Sequence, residues 1–516
     1  MRQKIIFLLF FNGLSQTIVA QPVLNQWYDF GRTQSVYSNV IATDSCYYSI
    51  GMAASDVVSA TWDMIFTKTN LDGSLSFTNF IHNDTISINS FYSNLLPTYD
   101  NQFMTVIDYD QFFMFIKYSP DGDTLFTSII EDILVNENYE CVYPTAFIEM
   151  PDSTYTGLLC IDDVDTWEVR IALVNLSKTG ELNFYKMYNI NQFGYTLTYP
   201  RSLIKTSDGY LISCDIIKSG GGSPINDSQR VRFIKTDNAG NELWRWTDMD
   251  HPLDAMPFGL TPTPDDGYLY GGVTGWYNSF YNGHYYLGHI VKLDSNLNQN
   301  WEIKMGDSTG VSYINFSQIL PTNNDRYVAT GFCTKDTMTI GWLINFDLNG
   351  QVHWDSYFSY VPGETAVYDP WHELYDVEQT PDKGFVMVGN AWDQDATSAG
   401  NPGKFAWLVK TDSVGCLVPG CQDFFSVEEH ETLQIKLGLY PNPAADILNI
   451  YFYDETFGGK ATIQVFDIQG NLIREWPVHT NDITFIYDVS LLPSGAYVLK
   501  VVEGGVEKAA QKFVVE

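Results

Sequence analysis

Phe233-Ile234-Lys235-Thr236-Asp237-Asn238-Ala239-Gly240-Asn241-Glu242-Leu243-Trp244 is the stretch from which the rest of the sequence can be read. An apolar strand ends in a lysine, a polar turn carries Asp and Gly, and a new strand opens towards an aromatic. The glycine supplies the positive φ that a tight hairpin needs. Six more copies align on the lysine position: Lys68, Lys117, Asn175, Lys292, Asn345 and Lys410, at intervals of 49 to 65 residues. A second half-pattern precedes each copy. It is clearest in Asp208-Gly209-Tyr210-Leu211, Asp266-Gly267-Tyr268-Leu269 and Lys383-Gly384-Phe385-Val386, and weaker at Asn101, Ser153 and Asp325.

Each unit therefore holds about four short strands. Aromatic residues make up 15% of the chain, charged residues only 17%, and few stretches show a helical apolar period, all of which favours β structure. Seven such units predict an all-β chain with a seven-bladed β-propeller over residues 21–425; the weak early copies leave six or eight open. The last copy, Lys410-Thr411-Asp412-Ser413-Val414-Gly415-Cys416, lacks the aromatic strand that should follow its turn. Asn25-Gln26-Trp27-Tyr28-Asp29-Phe30 looks like that missing strand, so the N-terminal segment is expected to complete the last unit. In a meander alternate connections lie on one side, so short turns share one face and long loops the other. Ile161–Trp167, Ser219–Gln229, Trp276–Tyr286, Val361–Trp371 and Trp392–Gly403 are the expected long loops, and function is expected among them.

The N-terminus reads as a secretory leader over residues 1–20. Arg2 and Lys4 precede an apolar run, Ile5–Phe11, and small residues lead to Ala20, with Gln21 as the expected mature start. The run is too short to span a bilayer, and no other segment reaches transmembrane length. A net charge of −34 repels nucleic acid and anionic membranes. Of the seven cysteines, Cys416 and Cys421 flank a short turn and are the expected disulfide, while buried free thiols are the default for the rest.

Beyond residues 426–436, a polar acidic linker, the repeat stops. Leu439-Tyr440-Pro441-Asn442-Pro443-Ala444, Val465-Phe466-Asp467-Ile468-Gln469-Gly470 and Leu492-Pro493-Ser494-Gly495-Ala496-Tyr497 follow in order. Alternating strands between Pro and Gly turns suit a small β-sandwich. Residues 437–516 resemble the type IX secretion C-terminal sorting domain, with Tyr440, Pro441, Asn442, Pro443, Asp467, Gly470, Gly495 and Tyr497 carrying the likeness. The resemblance implies an Ig-like sandwich, recognition by an outer-membrane translocon of a Gram-negative bacterium, and a secreted or cell-surface location.

No Gly-x-Ser-x-Gly elbow, Walker loop or His-Glu-x-x-His motif is present. The repeat turn resembles sialidase-type Asp boxes and the quinoprotein repeat, which implies a structural role for it. Asp162, Asp163 and Asp165 cluster in one loop, and grouped carboxylates offer the oxygens that Ca²⁺ takes, although no complete EF-type loop surrounds them. A solvated acidic loop is the plain alternative. Trp276, Tyr277, Tyr281, His284 and Tyr285 crowd one expected loop, and Trp371, His372, Trp392 and Asp393 fall in loops on the same face. Aromatic rings beside carboxylates suit stacking and hydrogen bonding to sugars, or contacts with a protein. His284 and His289 are a weaker metal pair. The expectation is a propeller that binds a glycan or protein partner. A secreted hydrolase of polysaccharide, needing two carboxylates at a set separation, and a structural or adhesive surface component are the alternatives.

Overall fold

The computed structural model describes residues 21–515 except 55–60, 84–85, 111, 131–138, 167, 189–194, 219–228, 250–254, 279–282, 306–313, 324, 336–337, 360–370, 394–402, 418–420, 422–435, 454–460, 468–469, 479–483 and 504–505. The expected leader, most of the linker, Tyr281 and most of the expected long loops lie outside the described residues. The chain divides into two compact units, Met1–Gln422 and Asp423–Glu516. The described regular elements are strands.

The first unit begins with β1 (Leu24–Tyr28) and continues, among the described residues, as seven successive antiparallel meanders. The first holds β2 (Gln34–Ala42), β3 (Cys46–Ala54), β4 (Trp62–Asn70) and β5 (Leu75–Ile81). In the second, two short pieces, β6 (Ile88–Asn89) and β7 (Leu96–Pro97), share one edge of β8 (Phe103–Tyr109), followed by β9 (Phe112–Tyr118) and β10 (Thr124–Ile130). The third is β11 (Tyr139–Glu149), β12 (Tyr155–Asp163), β13 (Glu168–Leu176) and β14 (Leu182–Tyr188). The fourth is β15 (Tyr195–Thr206), β16 (Gly209–Lys218), β17 (Gln229–Asp237) and β18 (Glu242–Thr247). The fifth is β19 (Ala255–Pro262), β20 (Tyr268–Asn278), β21 (Gly283–Leu293) and β22 (Gln299–Met305). The sixth is β23 (Ile314–Pro321), β24 (Arg326–Lys335), β25 (Met338–Asp347) and β26 (Val352–Phe358). The seventh has β27 (Trp371–Gln379), β28 (Phe385–Asp393) and β29 (Gly403–Thr411), and its fourth strand is β1. Leu24 faces Lys410 and Trp27 faces Trp407 across this last ladder.

The apolar residues of neighbouring meanders meet face to face. Ile50, Met64 and Phe66 pack on Ile107 and Ile116; Phe115 and Val106 on Leu159 and Val174; Leu173 and Leu158 on Ile212 and Ile234. Leu211 and Phe233 pack on Tyr270 and Val291, Leu269 and Ile290 on Phe316 and Ile344, and Val328 and Leu343 on Met387 and Val409. The seventh then meets the first, with Val386 and Leu408 against Tyr37 and Tyr47. Each sheet thus buries both faces, which is why its middle strands are apolar nearly throughout and do not alternate.

Two short turns recur on one side. After the third strand, a five-residue turn bonds its first N–H to the fifth carbonyl, with a positive φ at the fourth position. It occurs at Asn70–Ser74, Ser119–Asp123, Ser177–Glu181, Asp237–Asn241, Asp294–Asn298, Asp347–Gln351 and Asp412–Cys416. Asp237, Asp294, Asp347 and Asp412 each accept two backbone N–H bonds at their Oδ1. The fourth residue is Gly except at Leu297, which takes φ 65°. Between the first two strands, the Oγ1 of Thr98, Thr206, Thr263 or Thr380 donates to the Asp two residues on. That Asp in turn receives the repeat lysine: Lys117–Asp100 at 2.8 Å, Lys235–Asp208 at 2.6 Å, Lys292–Asp265 at 3.0 Å and Lys410–Asp382 at 3.1 Å. The repeat lysine is therefore a buried clamp between the two hairpins of one sheet. Where it is replaced, Asn175 donates instead to Thr154 and Thr156.

Cys416 and Cys421 form a disulfide; Cys46, Cys160, Cys214 and Cys333 are buried free thiols and Cys141 is partly buried.

The second unit has two sheets over one core. One is β30 (Lys436–Tyr440), β31 (Ile447–Tyr453) and β34 (Thr484–Asp488); the other runs β33 (Leu472–Val478), β32 (Ala461–Asp467), β35 (Gly495–Glu503), β36 (Val506–Val515). Leu448 and Ile450 of the first sheet pack with Ile463, Val465, Leu499, Val501 and Phe513 of the second.

The turn glycines should be the most sensitive small residues. Gly180 has φ 81°, and a Cβ there would lie 2.6 Å from Cγ of the buried Phe115 in the preceding meander. Gly180→Ala is expected to cost about 2 kcal/mol or more in a urea unfolding experiment, from backbone strain and overpacking together.

Candidate functional site

The first strands of the meanders form a second continuous system, made of polar and aromatic groups. Several carry a β-bulge, between Tyr37 and Asn39, Cys141 and Tyr143, Pro200 and Ser202, Phe316 and Gln318, and Leu374 and Asp376. A bulge leaves one residue unpaired and re-aims the side chains beside it. The unpaired residues are Ser38, Val142, Arg201, Ser317 and Tyr375. In the second meander the segment Ser90–Leu95, between β6 and β7, interrupts the strand altogether.

These irregularities bring five rings together. Tyr92 packs on Tyr143 with centroids 4.3 Å apart, and Tyr143 lies parallel to Tyr199 at 6.5 Å. Phe91 meets Tyr92 at 5.1 Å and Tyr375 at 4.9 Å, both edge to face. Second, third, fourth and seventh meanders are thus joined through one aromatic row. Arg201 sits beside Tyr199 and donates to Asp215 through Nε at 2.7 Å and Nη2 at 3.3 Å. Gln229 Nε2 donates to the same carboxylate at 2.8 Å. The Tyr375 hydroxyl donates to Glu373 at 2.5 Å and lies 2.7 Å from Asn390 Oδ1. Burial drives the Tyr143 and Tyr375 phenols well above their ordinary pKa, so both stay protonated and able to donate.

Cross-links between neighbours hold the row in place. Leu95 N–H donates to Asn39 Oδ1, and Asn94 exchanges two hydrogen bonds with the Phe147 backbone. Leu260 N–H donates to Ser202, Thr261 to the Ile319 carbonyl, and Val377 N–H to Gln318. Asp376 of the seventh meander accepts from Val40 N–H at 2.8 Å and Asn39 Nδ2 at 2.6 Å in the first. Burial, with Glu378 adding to it, pushes the Asp376 carboxyl well above the usual carboxylate range; burial alone pushes Glu378 up to about 7.

The residues singled out from the sequence lie elsewhere. Trp276, Tyr277, His284 and Tyr285 belong to strands and not to a loop: β20 and β21 are long, with Trp276 opposite Tyr285 and Tyr277 opposite His284. Aromatic residues stand at consecutive positions there, Trp276-Tyr277 and Tyr285-Tyr286, so no apolar–polar alternation marks the strands in the sequence. Trp371, His372, Trp392 and Asp393 are also in strands, at the ends of β27 and β28. Trp371 packs edge-on against Trp392 at 5.7 Å and is 47% exposed, so this pair remains available to a ligand. His372 is buried against Trp407 and is not. Asp393 ends β28 opposite Gly403.

Asp162 and Asp163 end β12, with Asp165 in the turn that follows. Asp163 is committed: its Oδ1 accepts from the N–H groups of Asp165 and Thr166, and its Oδ2 pairs with Arg170 at 2.8 Å. Arg170 supplies the positive charge expected of an ion, and no group of three or more metal-ligating side chains converges among the described residues. His289 lies within β21, buried, with Nε2 2.7 Å from Glu302.

In the second unit, Asn442 is the central residue of its motif. Its Oδ1 accepts from Val514 N–H at 2.8 Å and its Nδ2 donates to the Lys512 carbonyl at 3.2 Å, while Ala444 N–H bonds Val514. Pro441 and Pro443 flank it after Tyr440, the last residue of β30, and fix the path of the chain. Asp467 and Gly470 repeat the five-residue turn of the first unit, with Gly470 at φ 81°. Gly495 opens β35, and the Tyr497 hydroxyl donates to the Pro493 carbonyl while its ring stacks on Phe513. Residues 438–516 match the family described as the secretion system C-terminal sorting domain.

The C-terminal unit is a type IX secretion sorting domain. The sorting domain implies export, with a secreted or cell-surface location. Ahead of it lies a propeller-like repeat region. No helix among the described residues is long and apolar enough to cross a membrane. Comparison with curated proteins finds no match to the chain. Among solved structures, a protein of unknown function from Bacteroides caccae is 14% identical, with a TM-score of 0.34 over 63% of this chain and 94% of its own. The Dos1 propeller is 10% identical at a TM-score of 0.40, over 72% of this chain and 78% of its own. An α-L-arabinofuranosidase from Fusarium graminearum is 15% identical at 0.41, over 63% and 93%. At such scores these likenesses bear on no function of this chain.

The carboxyls of the first strands set a pH dependence. Glu378 binds its proton more tightly folded than unfolded. Its contribution to stability is therefore full below about pH 4.3 and is lost as pH rises through about 7. Glu378→Gln should raise the melting temperature near pH 8, by an amount corresponding to about 3 kcal/mol, and leave it nearly unchanged near pH 4. An equal change at both pH values would show that the substitution acts through packing.

Proposed function

We propose that this is an exported propeller that binds carbohydrate through the aromatic row on its first strands. In this reading residues 1–20 are a removed leader. The seven meanders are the seven blades of a closed propeller, and the sorting domain is an Ig-like sandwich that delivers the protein through the type IX translocon. The pairing of β1 with β29 and the apolar contact between the seventh and first meanders support closure.

The observation that carries the binding reading is the row itself. Phe91, Tyr92, Tyr199 and Tyr375 are only partly buried, although they come from two meanders and the strand-breaking segment of a third. Rings held at the edge of a sheet present faces for stacking on the apolar side of a sugar, while Arg201, Asn390 and the Tyr375 hydroxyl are held by groups behind the rings and fix their positions. Asp215 and Glu373 are taken up by Arg201, Gln229 and Tyr375, which favours binding over the two-carboxylate chemistry of hydrolysis. The exposed Trp371–Trp392 pair is a second candidate contact on the same reading.

The test is a thermal-shift screen of the processed protein against polysaccharide fragments. A ligand present at about a hundred times its Kd stabilises by about 2.7 kcal/mol and raises the melting temperature accordingly. Tyr92→Ala should abolish the shift, and Trp371→Ala should leave most of it. Loss with Trp371→Ala alone would move the site to the tryptophan pair. Release of reducing ends from any fragment would overturn binding in favour of hydrolysis.

A further inference from the structure

Four meanders carry the Thr-x-Asp turn with its buried lysine, but one of the four is covered. The Asp side chain is 58% exposed at Asp100, 65% at Asp208 and 44% at Asp265, yet only 6% at Asp382. The partner Lys410 is fully buried. Asp382 has an additional donor that the other three lack in their described contacts. The backbone nitrogen of Gln21 donates to its Oδ2 at 2.8 Å. Lys410 Nζ reaches the same oxygen at 3.1 Å, while Thr380 Oγ1 and Gly384 N–H fill Oδ1 at 2.5 and 3.1 Å. Both ends of Gln21 are fixed. The Tyr47 hydroxyl donates to its Oε1 at 2.9 Å, and its Nε2 points to the Thr43 carbonyl at 3.5 Å.

Gln21 is also the residue that the leader reading makes the first of the mature chain. We propose that Asp382 is a built receptor for the α-ammonium group that leader removal creates at Gln21, so that an ion pair available only to the processed chain completes the seventh meander. The inference rests on the leader reading proposed above. A leader peptidase hydrolyses the Ala20–Gln21 bond. Water supplies a hydroxyl to the Ala20 carbonyl carbon and a proton to the Gln21 nitrogen, which takes a second proton from solvent to become the ammonium. An amide donor to Asp382 thereby becomes a charged one, and charge-assisted hydrogen bonds are about twice as strong as neutral ones. The bond lies three residues before β1, so it tightens the strand that pairs with β29.

The physical consequence is that processing and final stability are linked. Before cleavage the nitrogen is neutral and carries further chain; after it, the same atom brings charge to a carboxylate that is already shielded from water. The three exposed aspartates offer no such shielded receptor, because solvent screens them.

The experiment compares the chain beginning at Gln21 with one carrying a short Gly-Ser extension before it, each with Asp382 intact and as Asp382→Asn. Asp100→Asn serves as the control at an exposed clamp. The chain beginning at Gln21 is expected to melt higher than the extended chain by about 2 °C or more. Asp382→Asn should remove that difference, and Asp100→Asn should keep it. Equal melting temperatures for the two starts, or a difference that survives Asp382→Asn, would overturn the proposal. N-terminal sequencing and intact mass of protein exported by a type IX-competent host separate the two readings. A start elsewhere than Gln21 defeats the leader assignment. A start at Gln21 with a mass short by one ammonia means that Gln21 has cyclised to a neutral lactam, and it defeats the ion pair while leaving the leader assignment standing.

Discussion

The pairing of Leu24–Tyr28 with Gly403–Thr411 is the contact on which the first unit depends. A row of sheets stacked face to face has an open apolar face at each end, and each end would expose side chains that everywhere else are buried. Here the seventh sheet meets the first through Val386, Leu408, Tyr37 and Tyr47, and that sheet is complete only when the start of the chain supplies its fourth strand. Segments of the chain nearly four hundred residues apart must therefore meet before the seventh meander has its full edge. Long-range pairing of this kind is costly in chain entropy and is repaid by burying two faces at once.

Within each sheet a local device does comparable work. The Thr-x-Asp turn and the buried lysine of the third strand join the two hairpins of a meander through an ion pair, while the five-residue turn satisfies its own N–H groups on one Asp oxygen. An amine in a sheet interior would be costly without a partner, and the turn aspartate provides one at fixed spacing. The same five-residue turn reappears at Asp467–Asn471 in the sorting domain, on a different sheet arrangement. The turn is thus a solution to a backbone problem, closing a right-twisted hairpin with one left-handed residue, and carries no information about function.

The sorting domain shows how a short motif acts through the far end of its own fold. Tyr-Pro-Asn-Pro reads as a stiff opening, but its asparagine is bonded to Lys512 and Val514 in the final strand. The beginning and end of the domain are thereby a single edge.

The sequence by itself determined the repeat, the all-β class, the missing strand of the last unit and the sorting domain. These follow from local chemistry: a glycine at a positive φ, an Asp that caps its own turn, a lysine at a fixed distance from both. The tertiary structure alone decided where the aromatic row lies. Arg201 and Tyr375 are re-aimed by bulges, and Phe91 and Tyr92 sit in a break between two strand fragments, so a period of two runs out of phase at the very residues that converge. A Tyr-Pro pair recurring at Tyr143-Pro144 and Tyr199-Pro200 was a trace of this in the sequence, but neither pair says which other rings it meets. The aromatic residues that were conspicuous in the sequence, from Trp276 to Tyr285, are instead neighbours along one hairpin. Proximity in sequence reports turns and strands; convergence across several sheets depends on how bulges and neighbouring blades orient each side chain.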